Sequence, residues 1–169
     1  MTRIHEISLG KEDMKFSSAH FTLFENSAER LHGHNYRVLL VLRGVKLRDG
    51  LLVDFATVKT EARRLCNELD ETLLLPGTAT GLQITPANGE IEIRCRGKRY
   101  ILPEGDCRVL PIPNASCECL AEYFCTTLVE RLRPALLAAG VQSLAATVEE
   151  SPGQSGRCEI ALSPGATGR

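Results

Sequence analysis

Two short stretches decide how this chain folds: FSSAH at residues 16–20 and LHGHNYRV at residues 31–38. From Tyr36 to Leu42 apolar residues recur at every second position, which is the pattern of a β-strand. Residues two apart on a strand point to the same face, so the side chains of His32 and His34 are expected to project together.

Three of the four histidines of the chain lie in these two stretches. His20 ends a run that reads as a second strand, and pairing of the two strands would bring three imidazoles to one point. Three neutral histidines with an open fourth position are a catalytic zinc arrangement. We therefore predict that His20, His32 and His34 bind Zn2+. Gly33 supports this reading, because a glycine inside a strand often lets another group approach the backbone closely.

Composition points to one globular domain of a soluble protein. The chain has 169 residues, of which 43% are hydrophobic and 24% are charged. Its net charge of −1 predicts no general attraction to nucleic acid or to an anionic membrane. The sequence shows no apolar run of membrane-spanning length and no signal-peptide core at its start. Seven cysteines without a C-x-x-C spacing predict free thiols in a reducing compartment, so a cytoplasmic location is expected.

Periodicity predicts an α+β fold in the order β-β-α-(hairpin)-α-β-β. The predicted elements are a first strand over 1–22 interrupted at 10–13, a strand over 36–47, a helix capped by Asp54, an inserted hairpin over about 81–103, a helix from Ser116 to near Pro134, and strands over 142–150 and 157–162. This order predicts a four-stranded antiparallel sheet with both helices on one face. Residues 1–162 are expected to form one domain, and the glycine-rich tail, 163–169, is expected to be mobile.

The motifs resemble a known family, the 6-pyruvoyl-tetrahydropterin synthases, which includes the 6-carboxytetrahydropterin synthases of the queuosine pathway. The resemblance rests on FSSAH, LHGHNY, a G-x-x-V-D-F-like stretch at 50–55 and ESPGQ at 150–154, in that order along the chain. It implies a T-fold whose subunits assemble into a multimeric barrel. A homohexamer of two stacked trimers, with active sites at subunit junctions, is the expected assembly.

The resemblance also implies a pterin-binding site. Glu150 matches the glutamate that anchors the pterin ring, and Ser116, Cys117 and Glu118 match residues beside the pterin. Cys117 departs from the usual threonine. From the residues alone, Ser116 is explained as a helix cap and Glu150 as a solvated acid at the end of a strand.

The catalytic positions depart from the better-known members of the family. The position of their catalytic cysteine is Ala28, and their Asp-His pair is replaced by Asp70 and Glu71. The chain most closely resembles the branch that carries a glutamate instead, which here is Glu29. We expect Glu29 to be the principal proton-transfer group, with partial burial raising its pKa, and Glu71 and Asp70 to be the alternatives.

The function implied by the resemblance is that of a zinc-dependent lyase acting on 7,8-dihydroneopterin triphosphate. In the glutamate branch the expected product is 6-hydroxymethyl-7,8-dihydropterin for folate synthesis. The alternatives are formation of 6-pyruvoyl- or 6-carboxytetrahydropterin, in the biopterin or queuosine pathway, and a non-catalytic pterin-binding homologue.

Overall fold

The computed structural model describes residues 1–162, so the predicted mobile tail at 163–169 lies outside the described residues. These residues form two α-helices, ten strands and one short 3-10 helix, Glu104–Asp106. In chain order the α-helices and strands are β1 (His5–Leu9), β2 (Lys15–His20), β3 (His32–Gly44), α1 (Phe55–Leu69), β4 (Thr72–Pro76), β5 (Leu82–Ala87), β6 (Glu90–Cys95), β7 (Lys98–Pro103), β8 (Cys107–Leu110), α2 (Cys117–Ala139), β9 (Val141–Ser151) and β10 (Gln154–Ala161).

The main sheet has the strand order β10-β9-β3-β2-β4-β8, and β1 also pairs with β3. Strands β1 and β2 pair antiparallel with successive halves of β3, from His5 opposite Gly44 to His20 opposite His32. The predicted interruption of the first strand is therefore confirmed, as are the antiparallel core and the α+β class. The sequence did not predict β4 and β8, which extend the sheet beyond β2 by parallel pairing.

Both helices cover the same face of this sheet. Even-numbered residues of β3, from Tyr36 to Leu42, are buried there in one core with residues of α1 and α2. The ring of Phe16 stacks on that of Tyr36, with centroids 4.7 Å apart, and on that of Phe124 in α2 at 5.6 Å. The histidines lie at the ends of β2 and β3, just beyond this core. Packing of the core therefore fixes the position of these strand ends.

Helix α2 does not end near Pro134, as the sequence predicted, but continues to Ala139. A proline inside a helix removes one hydrogen bond and strains the preceding turn. Leu136, beyond the proline, is fully buried, and the Gly140 amide closes the helix on the carbonyls of Leu136 and Leu137. Burial of this last turn outweighs the cost of the proline.

The inserted region, 81–103, forms a separate antiparallel sheet of three strands, β5-β6-β7. Its inner face packs Ile91, Ile93 and Cys95 into a second apolar cluster with Leu73 and Leu75 of β4. The ring of Tyr100 stacks on Phe21, just beyond the end of β2, with centroids 5.9 Å apart. The insert is thereby fixed beside the histidine end of the main sheet.

Among residues 1–162, no helix combines the length and apolarity needed to cross a membrane.

Candidate functional site

Three histidines converge where β2 ends and β3 begins. His20 pairs directly with His32 across the two strands, and His34 follows two residues later on the same face. Their ligand nitrogens all lie within 4.8 Å of one another. The ring centroids are 4.6 Å apart for His20 and His32, and 4.9 Å apart for His32 and His34. The strand spacing read from the sequence therefore places three imidazoles around one point, and this group could bind a metal ion.

Hydrogen bonds to backbone carbonyls fix two of the imidazoles. Nδ1 of His20 lies 2.7 Å from the carbonyl oxygen of Ala115, and Nδ1 of His32 lies 2.8 Å from that of Arg30. A carbonyl can only accept, so in each ring Nδ1 carries the hydrogen and donates it. The lone pair is then left on Nε2, as in metal-binding histidines generally.

The buried Nε2 of His20 tests whether a metal would fit. This atom has no hydrogen-bond partner, although His20 is only 2% exposed. A buried nitrogen lone pair without a donor is costly unless a ligand occupies it. Burial lowers the pKa of His20, and the neighbouring His32 and His34 lower it further, against the Ala115 carbonyl that raises it. The neutral imidazole that results is the metal-binding form.

Gly33 allows the two strands to meet closely at this point. A Cβ at this position would lie 3.1 Å from the carbonyl oxygen of Ser18 on β2. The absence of a side chain thus keeps β2 and β3 in contact between the two histidines of the LHGHNY motif.

Glu29 stands at the base of a short hairpin that connects β2 to β3. The Glu29 amide donates to the Thr22 carbonyl at 3.0 Å, and Leu23 bridges to Ala28. In return, the Thr22 amide donates to Oε2 of Glu29 at 3.0 Å. The hairpin therefore fixes both the backbone and the carboxylate of Glu29 three residues before His32.

The expected rise in the pKa of Glu29 is wrong. Burial does raise it, but hydrogen bonds from the Thr22 hydroxyl and amide lower it, and so do the charges of His32 and His20. The combined effect leaves the pKa below its ordinary value. The Glu29 carboxylate is consequently ionised at neutral pH and can accept a proton.

A cavity of about 340 Å³ opens beside the histidines and contains all four predicted pterin-binding residues. Its lining includes Ser116, Cys117, Glu118, Glu150 and also Thr22, which holds Glu29. Ser116 caps α2 by accepting from the Cys119 amide at 3.4 Å, as the capping pattern predicted.

The carboxylate of Glu150 faces this cavity between a thiol and an imidazole. Sγ of Cys117 donates to Oε2 of Glu150 at 3.3 Å. Burial raises the pKa of Cys117 to about 12, and the contact with Glu150 raises it as well, so the thiol stays protonated and remains a donor. The same Oε2 lies 4.0 Å from Nε2 of His34.

Gly156 allows the start of α2 to lie directly against β10. A Cβ there would lie 2.4 Å from both the Cys117 carbonyl carbon and the Glu118 amide nitrogen. No real Cβ approaches main-chain atoms so closely, so only glycine lets the first turn of α2 rest on β10.

Asp70 and Glu71 do not join the histidines in this chain. Oδ1 of Asp70 accepts the Ser17 amide at 2.7 Å, and the Glu71 amide donates to the Ser17 carbonyl at 2.7 Å. Ser17 lies on the sheet face opposite His20. Glu71 has a left-handed φ of 55° and lines a second cavity, of about 480 Å³, whose lining also includes Ser17, Asn35 and His34.

Sequence reasoning missed four residues that shape the site: Thr22, Lys98, Asn114 and Gly156. The side-chain amide of Asn114 accepts a hydrogen bond from the Leu23 N–H and donates one to the Leu23 carbonyl, both at 2.9 Å. It thereby makes the same pair of hydrogen bonds to the hairpin that a neighbouring strand would make. None of the four left a usable signal: even Gly156 lies just before the predicted strand over 157–162, and only the structure places it inside β10.

Comparison with known proteins agrees with this geometry. The family model for 6-pyruvoyl tetrahydropterin synthase matches residues 9–160. The putative 6-carboxy-5,6,7,8-tetrahydropterin synthase of Methanocaldococcus jannaschii is 32% identical over 121 residues, covering 71% of this chain and 74% of that protein. The corresponding protein of Pyrococcus horikoshii is 26% identical over 119 residues, covering 69% of this chain and 70% of that one.

Solved structures match over almost the whole chain. The 6-pyruvoyltetrahydropterin synthase of Plasmodium vivax superposes with a TM-score of 0.90 at 34% identity, covering 95% of this chain and 99% of that one. Two further structures of that protein replace its catalytic residue, a glutamate, with alanine or cysteine. The Plasmodium falciparum protein gives a TM-score of 0.90 at 32% identity, covering 94% and 99% of the two chains. These matches confirm the T-fold.

Proposed function

This chain belongs to the 6-pyruvoyl tetrahydropterin synthase family, and we propose that it acts on 7,8-dihydroneopterin triphosphate in a zinc-dependent reaction. Family membership makes it a lyase that acts on pterins. The proposed product is 6-hydroxymethyl-7,8-dihydropterin, which would supply folate synthesis.

One arrangement carries this proposal: two carboxylates flank the three histidines. Glu29 lies three residues before His32 and its charge interacts with those of His32 and His20, while Glu150 lies 4.0 Å from His34 and faces the cavity. A pterin ring anchored at Glu150 would therefore extend its side chain past the histidines toward Glu29. An ionised glutamate in that place is the residue type that the Plasmodium vivax protein uses as its catalytic residue.

Zinc would be held by Nε2 of His20 and by the ring nitrogens of His32 and His34. Bound there, it would act as a Lewis acid toward the hydroxyl groups of the substrate side chain. The protein directs the Nδ1 hydrogens of His20 and His32 to the carbonyls of Ala115 and Arg30, which leaves Nε2 of each ring available.

The pterin ring would be recognised by charge and by backbone geometry at the N-terminus of α2. Glu150 offers two acceptor oxygens to the amino group and the ring N–H of a pterin. Ser116, Cys117 and Glu118 would border the ring, since they line the same cavity. The thiol of Cys117 would keep one Glu150 oxygen oriented toward the cavity.

Glu29 would move the proton in a retro-aldol cleavage. Its carboxylate accepts the proton of the hydroxyl group on the second carbon of the substrate side chain, counted from the pterin ring. A carbonyl forms at this second carbon as its bond to the first carbon breaks. The electron pair stays on the first carbon, which then takes up a proton. Asp70 and Glu71 are the further candidates for proton transfer, although Asp70 already accepts a backbone amide.

A second product assignment is favoured by the relatives. The Methanocaldococcus and Pyrococcus proteins are described as putative 6-carboxytetrahydropterin synthases. Incubation with dihydroneopterin triphosphate followed by mass spectrometry separates the assignments. The hydroxymethyl product has lost its outer side-chain carbons, the pyruvoyl product keeps three side-chain carbons, and the carboxyl product carries a single acidic carbon. Detection of only the second or third product would refute the proposed cleavage.

We further propose a homohexameric, cytoplasmic protein. Membership of the 6-pyruvoyl tetrahydropterin synthase family supports this assembly. All seven cysteines are free thiols, as expected in a reducing compartment. Light scattering after gel filtration tests the number of subunits.

A further inference from the structure

The hairpin that carries Glu29 is contacted by the inserted sheet at both of its ends. The β6–β7 turn has positive φ at Arg96 (46°) and Gly97 (78°), the conformation of a tight hairpin turn. Nε of Arg96 donates to the Phe24 carbonyl at 3.1 Å, near the hairpin tip. Nζ of Lys98 donates to the Ala28 carbonyl at 2.7 Å and to the Glu29 carbonyl, at the base.

The two contacts of Lys98 differ from those of an ordinary surface lysine. The ammonium group is half-buried and bonds two successive carbonyls, one of which belongs to Glu29 itself. Hydrogen bonds from a charged donor are about twice as strong as neutral ones. Lys98 therefore restrains the backbone of Glu29 from one side, while the Thr22 amide restrains its carboxylate from the other.

We propose that Lys98 is a positioning residue for Glu29, and that the inserted sheet β5–β7 acts as the brace that keeps this carboxylate directed at the histidine centre. The inference rests on the proposed role of Glu29 in proton transfer. Within residues 1–162, the hydrogen bonds of the Lys98 ammonium go to main-chain carbonyls of the hairpin, so it acts through Glu29 rather than on the substrate. A displacement of a reacting group by about 1 Å can lower a rate by on the order of 10²-fold, which makes such a restraint consequential.

If Lys98 had a purely structural role, its substitution would have a different effect. In that case Lys98 would attach the inserted sheet to the main domain, and its loss would lower stability without any specific relation to Glu29. The two roles are separated by measuring the order of the hairpin and the coupling between Lys98 and Glu29.

The first measurement is hydrogen–deuterium exchange of peptides covering 22–31 in the assembled protein. Lys98→Met removes the ammonium and keeps the apolar stem, and Lys98→Arg restores a cation at the same place. Arg99→Met is the matched control, since Arg99 lies on the same strand and instead bonds the exposed Glu92. We expect exchange of 22–31 to accelerate at least about tenfold in Lys98→Met, with little change in Lys98→Arg or Arg99→Met.

The second measurement is a double-mutant cycle on turnover of dihydroneopterin triphosphate. Lys98→Met is expected to lower kcat by about 10–100-fold with KM nearly unchanged. In a Glu29→Gln background, Lys98→Met should cause almost no further loss, because the residue it positions is already disabled. If Lys98→Met impairs folding, Lys98→Gln, which keeps one donor, replaces it in both measurements.

Accelerated exchange at 22–31 together with non-additive kcat effects supports the proposal. Unchanged exchange in Lys98→Met overturns it, and so does an equal loss of kcat in both backgrounds. If Glu29→Gln retains full turnover, the proposed role of Glu29 fails instead, and the exchange result alone then decides whether Lys98 restrains the hairpin.

Discussion

Nε2 of His34 lies 4.0 Å from Oε2 of Glu150, across the border between the histidine centre and the adjacent cavity. The two residues come from neighbouring strands, β3 and β9, which pair in register from Arg37 opposite Glu149 onward. A ligand bound to the Glu150 carboxylate is therefore held next to any metal bound by the histidines.

Loss of one histidine should remove the metal and leave the fold intact. We expect about one zinc per chain in the purified protein and almost none in His32→Ala, because two remaining imidazoles form an incomplete site. His32 is exposed, so its truncation leaves no buried void and the melting temperature of the metal-free protein should change little. Elemental analysis and thermal unfolding measure both effects. His5→Ala, at the histidine outside the centre, should keep its zinc; equal metal loss in both variants would contradict the assignment.

Glu150→Gln should weaken pterin binding without affecting zinc. The substitution keeps the shape of the side chain but replaces one acceptor oxygen with a donor and removes the charge. Loss of a charge-assisted pair costs about 1.5–3 kcal/mol, or roughly 10–150-fold in Kd. Calorimetric titration with neopterin measures this change. Glu149→Gln is the matched control, because Glu149 accepts the Gly153 amide at 3.2 Å and an amide oxygen can still do so. Equal affinity in the Glu150 variant and the unmodified protein would place the anchor elsewhere.

Glu29→Ala should abolish most turnover while zinc content and pterin affinity are kept. Removal of a general base lowers rates by on the order of 10²–10⁴-fold. Glu71→Ala is the informative comparison, because Glu71 is the other acidic candidate and is held against Ser17 rather than in the hairpin that carries Glu29. Initial rates of the two variants decide between them. Near-normal turnover in Glu29→Ala with a large loss in Glu71→Ala would assign proton transfer to Glu71.

Gly156→Ala should damage the cavity through backbone contact alone. The new Cβ would lie 2.4 Å from main-chain atoms of Cys117 and Glu118, so the start of α2 must move. Overpacking of this kind costs about 1–3 kcal/mol of stability. Pterin affinity should fall with it. Gly105→Ala, where a Cβ would meet nothing within 4 Å, is the control. Chemical denaturation and neopterin titration should distinguish the two alanine variants, and indistinguishable results would refute the close approach.

Ionised Glu159, on the face of the sheet that the helices leave uncovered, should contribute to the pH dependence of the free energy of unfolding. Hydrogen bonds from the Arg43 guanidinium, and then from Ser143 and Arg157, lower the pKa of Glu159 to about 2. A carboxylate with a lowered pKa stabilises the fold above its unfolded pKa, and this contribution is lost as pH falls from about 4.5 toward 2. The side chain is 30% exposed, so solvent screening limits the effect to about 1 kcal/mol or less.

Glu159→Gln should therefore destabilise metal-free protein slightly at pH 7 and not at pH 2. Urea unfolding in the presence of a chelator, at several pH values, measures the difference between the two proteins. A difference that stays constant over this pH range would mean that ionisation of Glu159 does not contribute.

Local patterns were enough to predict both helices, most of the strands and the shared face of two histidines. The alternation after His34 predicts a strand, and the period of two places His32 and His34 on one face whatever the rest of the chain does. Asp54 and Ser116 begin the two helices as their capping patterns predicted. The strands β4 and β8 escaped prediction because each is only four or five residues long and is defined by parallel pairing with a distant partner.

By itself, the sequence determined the two helices, the strands other than β4 and β8, and the shared face of His32 and His34. The tertiary structure alone decided which side chains surround them. Ala115 orients His20 from 95 positions away, and Lys98 reaches Glu29 from 69 positions away. The pKa of Glu29 is lowered rather than raised, because Thr22 donates to the carboxylate once the hairpin has closed. Periodicity reports which face a residue occupies within its own element, whereas the donors and charges around a side chain depend on how separate elements pack together.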